Sequence, residues 1–385
     1  MPTARYALLQ SSYWSGFCLI VNFASVYLLA QGLSNAQIGI VIAVASALST
    51  VAQPLVAGVA DRSRWPLRLW LVAGGLAIAI VGLALLLPGE RGLLVAVNYG
   101  LLIGSIQLLQ PLVNSVGMAV INLGEKVNFG VARASASLAF ALLSLAAGRI
   151  VEATSEASLP LMLLLVQLVF VVAAATFVFR RAEGGEGPVE AGPDANHPAP
   201  PDRRAWLRFA LLLLGFTLAM SSHNLVNGFM FQVVTFHGGT AADMGLAIMI
   251  AALTELPTMI GWNLLQRRWS PGVLMIVAGV MFAVKSIATW LAPNLAAIYL
   301  AQALQFAAFG LIIPASVYYI DRHFPPGQRT TGQAYMTMTA TAGSVVGSVI
   351  GGIVLDAAGV PSMLLVGALI AVAGAVSIAA GADRR

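Results

Sequence analysis

RRAEGGEGPVEAGPDANHPAPPDRR, residues 180–204, is polar, charged and proline-rich, and it interrupts an otherwise oily chain close to its midpoint. Its Gly, Pro and acidic residues offer too little apolar surface to offset the entropy of ordering, so it reads as a solvated linker. Working outward, it separates two hydrophobic segments of similar length, 1–180 and 205–385, with 181–204 between them. Two such halves around one polar connection point to a pseudo-symmetric protein.

Composition sets the solvent. Of 385 residues, 59% are hydrophobic and only 9% are charged, whereas soluble domains carry roughly 25% charged residues. A chain so poor in charge cannot cover a water-facing surface, and lipid must solvate it. The net charge of +5 does not point to nucleic acid, because the arginines gather in short segments between apolar stretches and form no aromatic-interleaved basic stripe. Cys18 stands alone, which excludes an intramolecular disulfide and a thiolate metal cluster. The start, MPTARYALLQSSYW, carries no signal-peptide cleavage pattern, so the first apolar stretch is expected to be retained. No H-E-x-x-H, paired-carboxylate or P-loop motif accompanies His197, His223, His237 and His323, so no metal, cofactor or enzymatic activity is implied.

A spanning helix needs about 20 apolar residues. Breaking the chain at Gly, Pro and charge clusters gives twelve such spans. They run roughly 8–30, 36–60, 68–88, 93–121, 129–152 and 159–179 before the linker, then 206–235, 241–265, 272–292, 295–320, 330–356 and 361–381. They are expected to be helices, because lipid offers an open sheet edge no hydrogen-bond partner. The fold class is therefore an all-α membrane protein of twelve transmembrane helices in two pseudo-symmetric six-helix bundles.

Orientation follows from the basic residues. With both termini cytoplasmic, Arg62, Arg64, Arg68, Lys126, Arg267, Arg268, Arg322, Arg329 and the linker arginines share the cytoplasmic side, leaving Arg91 and Arg149 opposite. The halves also repeat at an offset of about 200 residues: Gly39 with Gly245, Pro54 and Gly58 with Pro257 and Gly261, Pro111 with Pro314, and Gly130-Val-Ala132 with Gly332-Gln-Ala334. Such a duplicated unit is the arrangement in which transporters bind solute near the bilayer midplane.

These features are similar to the major facilitator superfamily. The segment Gly58-Val-Ala-Asp61-Arg62-Ser-Arg64 resembles its G-x-x-x-D-R signature, in which the aspartate and basic residues belong to a cytoplasmic gate. Arg64 departs from that pattern where a glycine is usual, and the matching Gly261-Trp-Asn-Leu-Leu-Gln-Arg267-Arg268 lacks the aspartate. Finer similarity is to the branch of oligosaccharide, nucleoside and phenylpropionate proton symporters that contains the lactose permease. Asn128-Phe129-Gly130-Val-Ala132-Arg133 resembles the segment whose arginine grips sugar hydroxyls, and Phe140 stands where that branch stacks an aromatic ring on the sugar. Ser-His223-Asn224-Leu-Val-Asn227-Gly228-Phe229 is similar to a seventh-span element of the same branch. The usual fourth-span carboxylate falls near Ser115, and the tenth-span charged cluster falls on Gln302, Gln305 and Ala308. The proton-coupling carboxylate is thus missing from its familiar place.

Two other charges lie deep in spans. Glu255 sits near the middle of the eighth and Lys285 just past the middle of the ninth. A charge at the bilayer centre costs about 2.5–3.5 kcal/mol on insertion scales, so these two require partners or water. They form either a static ion pair or a proton-coupling switch. Arg133 either snorkels to the headgroups or uses its planar fork on a solute. His223 and Asn227, one turn apart, either line a cavity or join helices. The same alternatives hold for Gln302 and Gln305, and for Gln107, Gln110 and Asn114, with Asn22 opposite in the first span. Gly343, Gly347, Gly351 and Gly352 have small-xxx-small spacing for close helix packing.

The expected function is secondary transport of a small polar organic solute by alternating access, with proton symport. Substrate-binding candidates are Arg133, Phe140, Asn22, Asn114, His223, Asn227, Gln302 and Gln305; Glu255 and Lys285 are the coupling candidates, and Gly58, Asp61 and Arg62 the gate. Expected partners are the solute, protons and membrane lipid, with no nucleic acid and a monomeric state, in the inner or plasma membrane. Proton-driven drug or sugar efflux and ligand sensing without transport are the alternatives.

Overall fold

Ser34 and Thr240 each start a helix by closing a capping box. The Gln37 amide N–H donates to Ser34 Oγ at 3.3 Å while Ser34 N–H donates to Gln37 Oε1 at 2.9 Å. Thr240 N–H likewise donates to Asp243 Oδ2 at 2.9 Å. Both boxes satisfy N–H groups that the first helical turn leaves free. They open the second span, Asn35–Arg62, and the eighth, Ala241–Ile260. Single caps from Ser270 and Asn294 open the ninth span, Pro271–Trp290, and the tenth at Leu295.

The computed structural model describes residues 2–86, 92–122, 129–177, 203–324 and 329–383, so most of the 181–204 linker lies outside the described residues. All regular secondary structure among the described residues is helical. The first span is Pro2–Phe17, a π-helical turn Cys18–Asn22 and Ala24–Ala30, bent by 44°. The third to sixth are Leu67–Ala84, Leu93–Asn122, Phe129–Ala153 and Ser158–Ala175. The seventh is Arg203–Gly228 continued by Met230–Phe236. The tenth is broken more deeply, into Leu295–Ala303, a 3-10 turn Leu304–Phe306, and Phe309–His323. The run Arg329–Gly381 is two helices meeting at Gly359, whose φ of 75° a side chain would strain. With the bent first pair as one span and this run as two, the described residues hold the twelve expected spans.

Structure sharpens the repeat. The first and seventh spans break at fully buried phenylalanines, Phe23 and Phe229, with similar backbone angles (φ −93°, ψ 8° and φ −116°, ψ 26°). Glycines at positive φ follow, Gly32 and Gly238, then the caps Ser34 and Thr240. Each pair keeps one offset, about 206 residues. Contacts repeat too: first with fifth, second with fourth and third with sixth span, answered by seventh with eleventh, eighth with tenth and ninth with twelfth.

Polarity is inverted relative to a soluble domain. Leu48, Val51, Leu55 and Val59 form an exposed stripe on the second span, as Leu161, Leu165, Leu168 and Val172 do on the sixth. Buried positions include Gln10, Gln302, Gln305 and Lys285. Only a lipid environment makes that outer surface favourable. The protein is integral to a membrane. It divides into two compact units, Met1–Ala191 and Gly192–Arg385.

Candidate functional site

In the C-terminal unit the deep charges are joined by one side chain. Lys285 is almost fully buried, and its ammonium donates to the Gln305 side-chain carbonyl; the Gln305 amide donates in turn to Glu255 Oε1 at 3.0 Å. The eighth, ninth and tenth spans thus meet at Gln305, in the 3-10 turn of the broken tenth span. An amide carries an acceptor and a donor on fixed ends, so cation and anion dictate its orientation. Burial strengthens both bonds, because an unpaired ammonium there would be very costly.

His223 extends this cluster from the seventh span. Its ring stacks on Phe309 with centroids 5.0 Å apart and meets the edge of Phe282 at 5.8 Å, and Asn227 reaches it one turn later at 2.9 Å. Ser222 and Ser286 share a hydrogen bond of 2.8 Å that ties the seventh span to the ninth. Gln302 is 1% exposed; its amide points at Met230 Sδ at 3.9 Å and, among the described residues, its Oε1 has no hydrogen-bond partner.

The N-terminal unit has its own polar set. The Arg133 guanidinium lies over the Trp14 ring, 4.2 Å from its centroid. Trp14 Nε1 donates to Gln10 Oε1 at 3.2 Å; Gln10 Nε2 donates to Tyr6 Oη at 2.6 Å and to Asn114 Oδ1 at 3.2 Å. Tyr13 and Phe17 pack on Trp14 and fix its plane. A guanidinium over an indole face gains about 0.5–2 kcal/mol as it loses water. Arg133 is thereby held toward the first span while keeping a planar fork of donors.

The expected site residues therefore fall into two groups. Arg133 and Asn114 join the N-terminal network; in the C-terminal unit Glu255, Lys285 and Gln305 are hydrogen-bonded together, while His223 pairs with Asn227 against Phe282 and Phe309, with Gln302 one turn from Gln305. Asn22 ends the π-helical turn about two turns beyond Trp14 and, among the described residues, shares no hydrogen bond with either network. Phe140 is half-buried on the fifth span, seven residues past Arg133. Gln107 serves a helix contact, bonding Ser49 and, at 3.1 Å, Ser46 on the second span. Gly58 and Arg62 lie in the last turns of the second span, with Arg62 exposed; the Asp61 side chain lies outside the described residues. Trp14, Gln10 and Tyr6 escaped the sequence reading. Their signal was the i, i+4, i+8 spacing Tyr6, Gln10, Trp14 on one face of an apolar helix.

Comparisons agree with this fold. Among curated proteins the chain is 29% identical to the maltose permease of Geobacillus stearothermophilus over 343 residues, 88% of this chain and 84% of that protein. It is 28% identical to a putative sugar efflux transporter of Deinococcus radiodurans over 157 residues, 40% of this chain and 38% of that one. Among solved structures, the nucleoside transporter NupG superposes with a TM-score of 0.76 at 15% identity, covering 98% of this chain and 97% of that one. A POT family transporter superposes at 0.69 with 12% identity, over 97% and 95% of the two chains. Residues 6–366 match the family model described as "MFS_1 like family". The chain belongs to the MFS_1 like family and is a membrane transporter of the major facilitator type.

Proposed function

We propose that this transporter carries a small hydroxyl-rich solute, a saccharide or nucleoside, by alternating access and in symport with protons. The observation that carries the coupling claim is the hydrogen-bonded chain Lys285–Gln305–Glu255, in which Lys285 and Gln305 are buried and Glu255 is half-buried. A carboxylate held deep in a lipid-solvated bundle beside a buried ammonium is suited to exchange a proton as its surroundings change. The solute class draws support from the maltose permease relative and from the donors near Arg133 and His223, which match hydroxyl groups. Arg133, Asn114, His223, Asn227 and Gln302 are assigned to solute binding, with Asn22 and Phe140 as further candidates, and Glu255 with Lys285 to coupling. Gly58, Asp61 and Arg62 are assigned to the gate of a monomeric protein in the inner or plasma membrane, both termini cytoplasmic.

A thermal-shift screen of the purified protein against sugars, nucleosides and carboxylates tests the solute class. At saturating ligand, about 100 times Kd, binding adds about 2.7 kcal/mol of stability, a clear upward shift for a saccharide or nucleoside. Carboxylates alone giving that shift would overturn the assignment. Arg133→Lys keeps the charge but loses the planar fork, and we expect it to weaken solute protection by about tenfold or more in concentration. Protection equal to the wild type would remove Arg133 from the solute site.

The similarity to the putative sugar efflux transporter favours export as a second reading. Solute accumulation driven by an inward proton gradient supports symport, whereas accumulation driven only by an outward-directed one supports efflux. Counterflow of labelled solute separates both from a sensor that binds without transport.

A further inference from the structure

We propose that Gln305 is a positioning residue: an amide spacer that holds Glu255 and Lys285 apart and passes the charge state of either to the joint of the broken tenth span. The role in transport rests on the proton-coupled reading above, while the spacer geometry does not. Three observations meet here. The Gln305 carbonyl accepts from Lys285 and its amide donates to Glu255, so each charge is bound to one end of a neutral group. Gln305 lies in the 3-10 turn between Leu295–Ala303 and Phe309–His323, where Ala308 leaves helical geometry at φ −90° and ψ −87°. One turn earlier, the buried Gln302 contacts Met230, which follows the break of the seventh span, and among the described residues its Oε1 has no hydrogen-bond partner.

The physics follows from hydrogen bonds to charged groups, which are roughly twice as strong as neutral ones. Two charges in direct contact inside a protein hold each other tightly, and separating them leaves both unpaired. An intervening amide divides that interaction into two shorter steps. When a hydronium ion gives its proton to a Glu255 carboxylate oxygen, its own O–H bond breaks and water leaves as the new O–H bond forms; the negative charge disappears, and the Gln305 amide keeps only a neutral acceptor. Gln305 is then anchored mainly by Lys285. Its backbone is the 3-10 turn itself, so the change reaches a joint with irregular geometry and an unfilled acceptor beside it. A regular helix at this position would resist such an adjustment, because every backbone group would already be paired.

The test uses Gln305→Leu and Gln305→Asn in the full-length protein, with two readouts. In proteoliposomes, the ratio of gradient-driven accumulation to counterflow is expected to fall about tenfold in Gln305→Leu, with partial recovery in Gln305→Asn. Its dependence on pH is expected to flatten. If the wild type shows pH-dependent accumulation and Gln305→Leu keeps both the ratio and the profile, the positioning role is wrong while the coupling reading stands. A wild type that never responds to pH overturns the coupling reading and, with it, the role of Gln305 in transport. The second readout needs no transport: thermal unfolding of Gln305→Leu in the native background and in Glu255→Gln/Lys285→Met. A spacer between charges predicts a drop in midpoint about twofold larger where both charges are present. Equal drops would identify Gln305 as ordinary packing and overturn the spacer geometry.

Discussion

Glu255→Gln is expected to yield a folded protein that exchanges its solute across the membrane but no longer accumulates it when driven by a pH difference. Gln has nearly the shape of Glu, and its carbonyl oxygen can still accept the bond that Gln305 donates to Glu255 Oε1 at 3.0 Å. Replacing a charged acceptor by a neutral one gives up about 1 kcal/mol, too little to unfold a domain of this size. What disappears is the capacity to bind and release a proton. Gradient-driven accumulation should therefore fall to the level of passive equilibration, a loss of about tenfold or more for a coupling defect near 1.4 kcal/mol. Counterflow, which needs no net proton movement, should persist. Proteoliposomes with an imposed pH gradient provide the measurement, and accumulation equal to the wild type would remove Glu255 from coupling.

A comparably large effect, on stability, is expected for Gly347→Val in the eleventh span. A Cβ at Gly347 would stand 2.2 Å from the Ser221 carbonyl oxygen and 3.1 Å from the Leu225 amide nitrogen. Both are backbone atoms of the seventh span, which cannot rotate away as a side chain would. The neighbouring glycines make the same approach, with Gly343 against the Thr217 carbonyl and Gly351 against Phe229. The two helices would have to separate along this line, losing packing on each side. Overpacking typically costs about 1–3 kcal/mol, and the rigid partner places Gly347→Val at the upper end. Gly58→Ala is the control, because among the described residues nothing beyond its chain neighbours and its own helix backbone comes within 4 Å of its added Cβ. Thermal unfolding in detergent should show a midpoint several degrees lower for Gly347→Val and little change for the control; equal midpoints would contradict the packing role.

The spans were legible because lipid makes a blunt demand: about 20 apolar residues and no unpaired backbone. The glycine spacing of the eleventh span was legible for a related reason, since close approach leaves no room for side chains. The helix breaks were harder to read. Phe23, Phe229 and the Leu304–Ala308 stretch contain no proline, while Pro314 and Pro111 sit inside unbroken helices. Tertiary packing, not local propensity, decides where these spans bend.

The same limit governed the site. Spacing placed Gln302 and Gln305 on one helix face, yet one reaches the seventh span and the other joins the eighth and ninth. Glu255 and Lys285 were evident as isolated charges among apolar residues, but the amide between them comes from a third helix, a pairing that no spacing rule encodes. Arg133 was visible as a charge near a helix start. Its position over Trp14 depends on a partner more than a hundred residues away in sequence.

Uptake of labelled saccharides and nucleosides into proteoliposomes holding the purified protein, with an inward proton gradient and external pH recorded together, tests the central claim most directly. The account predicts saturable accumulation of such a solute above equilibrium, accompanied by a rise in external pH and abolished when the gradient is dissipated. Solute binding without entry, or accumulation indifferent to the proton gradient, would contradict it.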